Sequence, residues 1–353
     1  MRSLYIASTG DGGGKTTVAV GLGLALRRRG LAVGYFKPVG VASRRAADPR
    51  VDDDAALAAE VLELDESLDE ICPVVLGDDL MHEVLGGGGI DAMGRVRSAY
   101  ERLAAGKDLV ICEGLGEVWQ GRFLHASGLD IVRRLELRTL LVARYAGARL
   151  LDDVLYVRDV LEERLAGVVF TVVPTGRLEL VEREYATFLA AGGIECLGLL
   201  AADSRLSAVT VADIALALGG TYVSGEEHAD TAVESYLVGA MSPEHALRYF
   251  ERTAGKAVVV GGDRAEVVLA ALETSTAAVV LTGGHVPGAA VLARAQEHGV
   301  PVVSVADDTG VACEGIRRLF GRLGVHGRRK VDLIETAVSA ALDVERLQEL
   351  LTD

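Results

Sequence analysis

The chain has 353 residues, of which 50% are hydrophobic and 5% aromatic, and its formal net charge is −15. This length predicts two domains with cores built mainly from aliphatic side chains. The acidic balance argues against nonspecific binding to nucleic acids or membrane surfaces, because those surfaces are themselves anionic. Four scattered cysteines without a close pair predict a cytoplasmic protein. The first apolar segment is too short for a signal peptide or a membrane span.

The amino end carries a strand–loop–helix motif. An apolar strand at 3–8 runs into a glycine-rich loop, and an apolar helix follows and closes at Gly30. This order of elements is typical of a phosphate-binding loop, in which small residues let backbone N–H groups converge. The helix start adds partial positive charge. Lys15 could then reach the outer phosphates of a triphosphate, and the Thr16 hydroxyl could ligate Mg²⁺.

This loop, residues 9–14 and hereafter the phosphate loop, departs from two known variants of the motif. Thr9 stands where the full eight-residue pattern has its first glycine. Gly10 stands where septum-site and partition ATPases carry a lysine, which argues against that subgroup. The alternative is a turn that only joins strand to helix. The order of strand, loop, Lys, paired Thr and helix favours phosphate binding.

Apolar runs alternate with amphipathic stretches, which predicts an α/β fold: a P-loop NTPase-type parallel sheet with helices on both faces. We predict strands at 3–8, 32–36, 108–112, 138–143, 167–173 and 195–200. We predict helices at 54–63, 94–105, 148–164 and 177–191. Ligands of such sheets bind beyond the carboxyl ends of the strands, so site residues are expected there.

Charged residues follow two of these strands. Lys37 ends the second strand and could bind a substrate carboxylate or a transferring phosphate. Glu113 follows the third strand, where phosphate-loop enzymes commonly place a magnesium ligand. One carboxylate of Asp52–Asp54 is expected to cap the next helix, and another could ligate Mg²⁺. The alternatives are a surface lysine and ordinary capping or surface residues.

A smaller α/β array follows a glycine pair and a polar segment near residue 220. Its predicted strands are 256–260, 277–281 and 301–305, and its predicted helices are 264–273, 288–298 and 311–323. The predicted domains are therefore 1–222 and 223–325, followed by a helical tail at 326–353. Four polar residues after these strands could line a second crevice or could equally be loop and cap residues: Asp263, Asp307, Asp308 and Thr309.

These motifs together resemble dethiobiotin synthetase over residues 1–220. The phosphate loop, Lys37-Pro38-Val39-Gly40, Asp54-Ala55-Ala56-Leu57 and Glu113-Gly114 occur in the same order and at similar spacings. The chain is still more similar to the synthetase-like amino-terminal part of long bacterial phosphate acetyltransferases, in which YFKPVG and a segment like its ICPVVL recur. Residues 236–316 resemble the DRTGG domain that follows in those proteins.

The resemblance implies ATP or another NTP and Mg²⁺ as cofactors, with an anionic small molecule as the second ligand. It implies that the nucleotide phosphates are held by Gly12, Gly13, Gly14, Lys15, Thr16 and Thr17. It places Thr16, Asp54 and Glu113 around Mg²⁺. Lys15 and Lys37 would be catalytic, stabilising charge on a transferring phosphoryl group. In dethiobiotin synthetase that group is transferred to a carbamate carboxylate before ring closure.

Three departures from the family follow from the sequence. Thr171 stands where the synthetases carry the asparagine that recognises adenine, so Thr171 is a candidate nucleotide contact and the base preference stays open. The proline usual after the sixth strand is replaced within 199–202. The sequence shows no counterpart of the acetyltransferase catalytic domain, so we expect no acetyl transfer.

Three hypotheses of function remain open. The chain could phosphorylate a carboxylate or carbamate, or hydrolyse ATP. It could instead be a regulatory protein that binds nucleotide through both domains and controls a metabolic partner such as a phosphate acetyltransferase. The second domain could also serve as an oligomerisation module, and we expect a homo-oligomer, a dimer or larger.

Overall fold

The computed structural model describes residues 2–10, 12–43, 50–320 and 328–352. Its contacts divide the chain into two compact units, Met1–Ala202 with Val331–Asp353, and Asp203–Lys330. This division differs from the predicted domains. Residues 203–222 fall within the second unit, and the tail from Val331 onward falls within the first.

The strands are β1 (Arg2–Ser8), β2 (Val33–Phe36), β3 (Gly40–Val41), β4 (Val75–Leu76), β5 (Leu109–Glu113), β6 (Arg138–Arg144), β7 (Leu165–Val173), β8 (Cys196–Ala201), β9 (Val209–Thr210), β10 (Thr221–Ser224), β11 (Ala232–Val233), β12 (Ser235–Val238), β13 (Lys256–Gly261), β14 (Thr276–Thr282) and β15 (Val302–Ser304).

The helices are α1 (Lys15–Arg28), α2 (Asp53–Val61), α3 (Leu68–Ile71), α4 (Asp78–Leu85), α5 (Ala92–Leu103), α6 (Gly128–Arg134), α7 (Arg149–Leu161), α8 (Leu178–Leu180), α9 (Ala186–Ala191), α10 (Ser204–Ser207), α11 (Val211–Ala217), α12 (Pro243–Phe250), α13 (Ala265–Leu272), α14 (Ala289–Glu297), α15 (Thr309–Leu319), α16 (Arg328–Ala341) and α17 (Val344–Leu350). A π-helical segment, Val181–Tyr185, joins α8 to α9.

The first unit is built on a six-stranded parallel sheet in the order β2-β5-β1-β6-β7-β8. Every residue of β2 and β5 is buried, which requires cover on both faces. The predicted fold class and all six predicted strands are confirmed, with ends that differ by at most two residues. Because β1 lies inside the sheet, the phosphate loop that follows it lies between the ends of β5 and β6.

Helix α1 connects the phosphate loop to the carboxyl-terminal tail. It begins after Gly14, whose φ of 80° is a left-handed conformation that glycine adopts without strain. Helix α16 packs closely on α1, since a Cβ added to Gly21 would lie 2.5 Å from Val338. Arg28 in the last turn of α1 also pairs with Glu335 at 2.5 Å. The described part of the tail therefore contains the helices α16 and α17, and from Val331 onward it belongs to the first unit.

Strand β7 ends irregularly. Val172 has a φ of 54°, a left-handed conformation that strains a β-branched residue. The pairing of β7 with β8 shifts between Phe170 and Val173. On the other side, Thr171 keeps its register with Arg144 of β6. Strand β7 thus carries a bulge toward β8, after which Val173 pairs with Ala201, while its register with β6 is kept at Thr171.

The second unit is a five-stranded sheet in the order β10-β15-β14-β13-β12, with β10 antiparallel to its neighbour. Alternate residues of β13 enter two separate apolar cores: Ala257 and Val259 join the core containing α11 and α15, and Val258 and Val260 join the core containing α12, α13 and α14. Helices therefore cover both faces.

In this unit the sequence predicted the inner strands of the sheet and missed both edge strands. The three predicted strands correspond to β13, β14 and β15, and the predicted helices to α13, α14 and α15. Residues 321–323 of the last predicted helix lie outside the described residues. The edge strands β10 and β12 were not predicted, because each is short and contains polar residues, unlike a strand buried on both faces.

Lys256, the first residue of β13, is a fully buried lysine. Its Nζ donates to Thr274 Oγ1 and to the Ser275 carbonyl, each at 2.9 Å, and lies 5.8 Å from the centroid of the Phe250 ring. Among the described residues its ammonium has no carboxylate within ion-pair distance. Burial lowers the pKa of Lys256 to about 8.

This lysine predicts a pH-dependent stability. The unfolded chain keeps the Lys256 proton up to the ordinary pKa, so between about pH 8 and pH 10 the unfolded state binds more protons. The free energy of unfolding should rise with pH in that interval, by at most about 1.4 kcal/mol per pH unit for this one proton. The full chain and Lys256→Met should be unfolded in urea at pH 8, 9 and 10. If the free energy of unfolding changed with pH by the same amount in the two proteins, the prediction would be wrong.

Candidate functional site

The phosphate loop is supported from within by Ser8, the last residue of β1. The Ser8 hydroxyl donates to the Gly10 carbonyl at 2.9 Å and accepts from Lys15 Nζ at 2.8 Å. A Cβ on Gly13 would lie 3.3 Å from both the Gly10 carbonyl oxygen and the Ser8 Cβ, which leaves little room for a side chain there. Ser8 therefore fixes both the turn of the loop and the position of the lysine ammonium.

A buried ion cluster lies beside the loop, at the ends of β2 and β5. Lys37 Nζ is 2.6 Å from Asp54 Oδ2, 3.2 Å from Glu113 Oε1 and 3.5 Å from Asp52 Oδ1. Lys37 is 2% exposed and Glu113 is fully buried. We call these four residues the Lys37 cluster. It brings together two residues predicted from different strand ends with carboxylates from the start of α2.

Glu113 connects the Lys37 cluster to the phosphate loop. Its Oε1 accepts from the Thr16 hydroxyl at 2.8 Å, and its Oε2 accepts from the Tyr35 hydroxyl at 2.8 Å. Together with Lys37, three donors surround this carboxylate. An ionised carboxylate, which only accepts hydrogen bonds, can accept from all three of these donors.

Burial and charge act against each other in the cluster. Burial by itself lowers the pKa of Lys37, but the nearby carboxylates of Asp54, Glu113 and Asp52 together raise it well above its ordinary range. Burial raises the pKa of Glu113 and of Asp52, and the ammonium of Lys37 offsets part of that effect. The carboxylates therefore favour the charged form of Lys37, and the Lys37 ammonium in turn favours the ionised forms of Glu113 and Asp52.

The three consecutive aspartates divide their roles. Asp52 caps α2, because its Oδ1 accepts from the Ala55 N–H at 2.9 Å, and its Oδ2 accepts from the Val41 N–H at 2.8 Å. Asp53 accepts from the Ser43 hydroxyl at 2.5 Å. Asp54 pairs with Lys37. Asp52 is therefore the helix-capping residue expected among the three aspartates, and the Asp54 carboxylate faces the Lys37 ammonium.

Thr171 lies outside the Lys37 cluster, on the other side of the phosphate loop. Its hydroxyl is buried and donates to the Gly13 carbonyl at 2.7 Å. Arg144, which ends β6, donates from Nη1 to the Gly12 carbonyl at 3.1 Å. Thr171, the candidate nucleotide contact, thus touches the loop backbone, next to an arginine that the sequence analysis did not single out.

The oxygen donors of Thr16, Asp54 and Glu113 fit a magnesium ion. Mg²⁺ prefers oxygen and usually takes one or two carboxylates, with water and substrate phosphates as its other ligands. Three carboxylates surround one ammonium in the Lys37 cluster, so negative charge is in excess there. Within the described residues no group of three or more His, Cys, Asp or Glu side chains could hold a metal by itself. A cation here would therefore depend on further oxygen ligands.

In the second unit, the polar residues after the strands mainly support their own loops. Asp308 caps α15 by accepting from the N–H groups of Gly310 and Val311 at 2.7 and 3.0 Å. The Thr309 and Thr282 hydroxyls are hydrogen-bonded at 2.8 Å. The Asp307 carbonyl accepts from the Gly283 N–H, and the Asp263 carboxylate lies against Gly261.

Tyr35, Arg144 and Ser8 were not selected from the sequence, although two of them carried a signal. Tyr35 lies two residues before Lys37 on an extended segment, so alternation puts both side chains on one face. Arg144 is a charge that ends an apolar strand, as Glu113 does. Ser8 ends β1 as a small polar residue and gave no comparable signal.

The Lys37 cluster predicts a large loss of stability in Lys37→Met. Methionine leaves three carboxylates without their shared cation, which should lower the free energy of unfolding by about 3–5 kcal/mol at pH 7. The loss should be smaller at pH 5 than at pH 7, because burial raises the pKa of Glu113 and of Asp52, and protonation at lower pH removes charge that has lost its cation. Urea unfolding at both pH values measures this.

Lys107→Met is the matched control, since Lys107 forms a single, more exposed ion pair with Glu66. It should lower the free energy of unfolding by about 1 kcal/mol or less. Adding Glu113→Gln to Lys37→Met should restore part of the stability. If Lys37→Met were as stable as the control, the cluster would not have the energetic role assigned to it.

Two family models match the chain. One, described as an AAA domain, matches residues 2–210, and the other, described as a DRTGG domain, matches residues 213–319. The described part of the chain contains no helix with both the length and the hydrophobicity needed to cross a bilayer.

Curated relatives resemble the chain over the same regions. The phosphate acetyltransferase of Deinococcus radiodurans is 27% identical over 363 residues, covering 97% of this chain and 50% of that protein. That of Pseudomonas aeruginosa is 26% identical over 376 residues, covering 99% and 52%. The ATP-dependent dethiobiotin synthetase BioD of Methanococcus vannielii is 26% identical over 207 residues, covering 56% and 92%.

The chain spans about half the length of the phosphate acetyltransferases it matches. The similarity confirms the resemblance to dethiobiotin synthetase and to the amino-terminal part of long phosphate acetyltransferases. The AAA match covers more than half of the chain and contains the phosphate loop, the Lys37 cluster and Thr171. The chain therefore belongs to this AAA domain family, with a P-loop nucleotide-binding domain followed by a DRTGG domain.

Proposed function

We propose that the first unit binds a Mg²⁺–nucleoside triphosphate, such as Mg-ATP, and transfers its terminal phosphoryl group to the carboxylate or carbamate of a small anionic molecule. The observation that carries this proposal is the chain of contacts from Thr16 in the first turn of α1, through Glu113, to Lys37. It links a phosphate-binding loop to a buried cation at a neighbouring strand end.

The phosphate loop and Lys15 would bind the triphosphate. The loop offers backbone N–H groups, and Lys15 adds a positive charge from the start of α1. Such a site accelerates phosphoryl transfer mainly by positioning the reactants and neutralising charge. In the reaction, a carboxylate oxygen of the acceptor would form a bond to the γ-phosphorus, and the bond to the β-phosphate oxygen would break. The products would be an acyl phosphate and a nucleoside diphosphate.

Thr16, Asp54 and Glu113 would hold the magnesium ion, which when bound offsets the charge of the triphosphate. Tyr35 orients Glu113 from the opposite side by its hydrogen bond to Oε2. Lys37 would supply a second cation for the transferring group or the acceptor. Its three carboxylate partners keep this ammonium protonated despite its burial, and the near-complete burial fixes its position.

A second candidate function is regulatory, with nucleotide binding controlling a metabolic partner. It is favoured by the presence of the DRTGG domain and by the loops that follow the parallel strands of the second unit, such as Thr282–His285. Under this proposal the first unit would bind nucleotide, and no acid would accelerate nucleotide turnover.

Nucleotide binding is tested with Lys15→Ala. Mg-ATP should raise the melting temperature of the unmodified chain, because it binds only the folded state. Lys15→Ala should abolish this shift, and Lys107→Ala, which removes a lysine outside the loop, should retain it. Retained stabilisation of Lys15→Ala by Mg-ATP would contradict the proposed site.

Release of ADP separates the two functions. If small carboxylates or diamines raise ADP release above the basal rate in the unmodified chain, and not in Lys15→Ala, the phosphoryl-transfer proposal is supported. If Mg-ATP binds and no acid or amine raises the rate, the regulatory function stands and the phosphoryl-transfer proposal fails.

A further inference from the structure

Arg144 and Thr171 hold two successive carbonyls of the phosphate loop, and we propose that they are positioning residues that aim the loop's N–H groups at the triphosphate. This inference rests on the proposed function, because it assumes that the loop binds phosphates. It gives Thr171 a role that is independent of the nucleotide base.

The sheet brings the two residues together. Arg144 ends β6, Thr171 lies near the end of β7, and the register of the two strands places their Cα atoms directly opposite each other. From these adjacent positions, Arg144 Nη1 donates to the Gly12 carbonyl at 3.1 Å and Thr171 Oγ1 donates to the Gly13 carbonyl at 2.7 Å.

Fixing a carbonyl also fixes the N–H of the next residue. None of the described peptide bonds is cis, and in a planar trans peptide the C=O and N–H point in opposite directions. Holding the Gly12 and Gly13 carbonyls therefore turns the Gly13 and Gly14 N–H groups away from β6 and β7. Within the described part of the chain, neither N–H donates to a protein acceptor. Two successive free N–H groups of this kind form an anion-binding concavity.

The orientation of the loop carbonyls also affects phosphate binding. A carbonyl oxygen carries partial negative charge, so a Gly12 or Gly13 carbonyl facing the ligand would repel a phosphate. The hydrogen bonds from Arg144 and Thr171 give these oxygens partners on the opposite side. The free loop is then already oriented for an anion, and binding requires less reordering.

The backbone after Thr171 supports a dedicated role for this position. Val172 has an unfavourable left-handed conformation, with a φ of 54°. The register of β7 with β8 shifts between Phe170 and Val173, whereas the pairing of Thr171 with Arg144 of β6 stays intact. The Tyr145 N–H also donates to the Thr171 carbonyl at 2.9 Å, which fixes the same position from β6.

The test compares Mg-ATP, Mg-GTP and magnesium tripolyphosphate, which has no base, by titration calorimetry on the full chain. Thr171→Val keeps the side-chain shape and removes the hydroxyl. It should weaken binding of all three ligands by the same factor, on the order of tenfold, with the ratio of ATP to GTP affinity unchanged. Thr171→Ser keeps a hydroxyl and should restore most of the affinity. Arg144→Met should also weaken all three ligands equally.

Two matched controls remove similar bonds elsewhere. Thr187→Val removes a 2.7 Å hydroxyl bond to the Arg183 carbonyl, and Arg133→Met removes a guanidinium bond to the Val160 carbonyl. Neither should change binding of any ligand. Melting of the ligand-free proteins identifies any variant that fails to fold, and if Thr171→Val does, Thr171→Ser and Arg144→Met carry the test.

The outcomes separate the inference from the proposed function. If Thr171→Val changes the ratio of ATP to GTP affinity and leaves tripolyphosphate binding unaltered, Thr171 contacts the base and the inference is wrong. If Thr171→Val and Arg144→Met bind all three ligands as the controls do, the inference is also wrong, although the nucleotide site remains. If the unmodified chain binds none of the three ligands, the proposed function itself fails.

Discussion

The arrangement of the site depends on one buried ammonium. Removing the Lys37 ammonium from water costs roughly several kcal/mol. This cost is offset only if the surrounding carboxylates lie close to the ammonium in good hydrogen-bond geometry. Asp54 and Asp52 come from the start of α2 and Glu113 from the end of β5. The ammonium therefore fixes β2, β5 and α2 relative to one another. Through the Thr16–Glu113 hydrogen bond, the same constraint extends to the first turn of α1.

The elements that the sequence predicted well are those whose burial leaves a continuous apolar run. Strands such as β5 and β13 are buried along nearly their whole length, so their residues are Val, Ile, Leu, Ala or Cys almost without interruption. Edge strands face a different environment. The strand β12 begins with Ser235 and Tyr236 and has one sheet neighbour, so its short, mixed sequence did not distinguish it from a loop.

The site was predictable where a charge ends a buried strand, and less so where partners come from distant parts of the chain. Lys37 and Glu113 followed from the strand-end rule, and their contact follows from the pairing of β2 with β5, which are separated by more than seventy residues. No local pattern shows that pairing. The contacts of Arg144 and Thr171 with the loop depend in the same way on β6 lying between β1 and β7.

Sheet order also gives the phosphate loop two chemically different sides. On the side of β5 and β2, carboxylates in excess over ammonium groups favour a cation. On the side of β6 and β7, an arginine and a threonine engage loop carbonyls and leave N–H groups for an anion. A magnesium–triphosphate complex carries both kinds of charge. Because β1 lies between these two pairs of strands, its loop is where a ligand could meet both sides at once. A bare anion would meet repulsion from the carboxylates, and a bare cation would lack the oxygen ligands that a triphosphate brings.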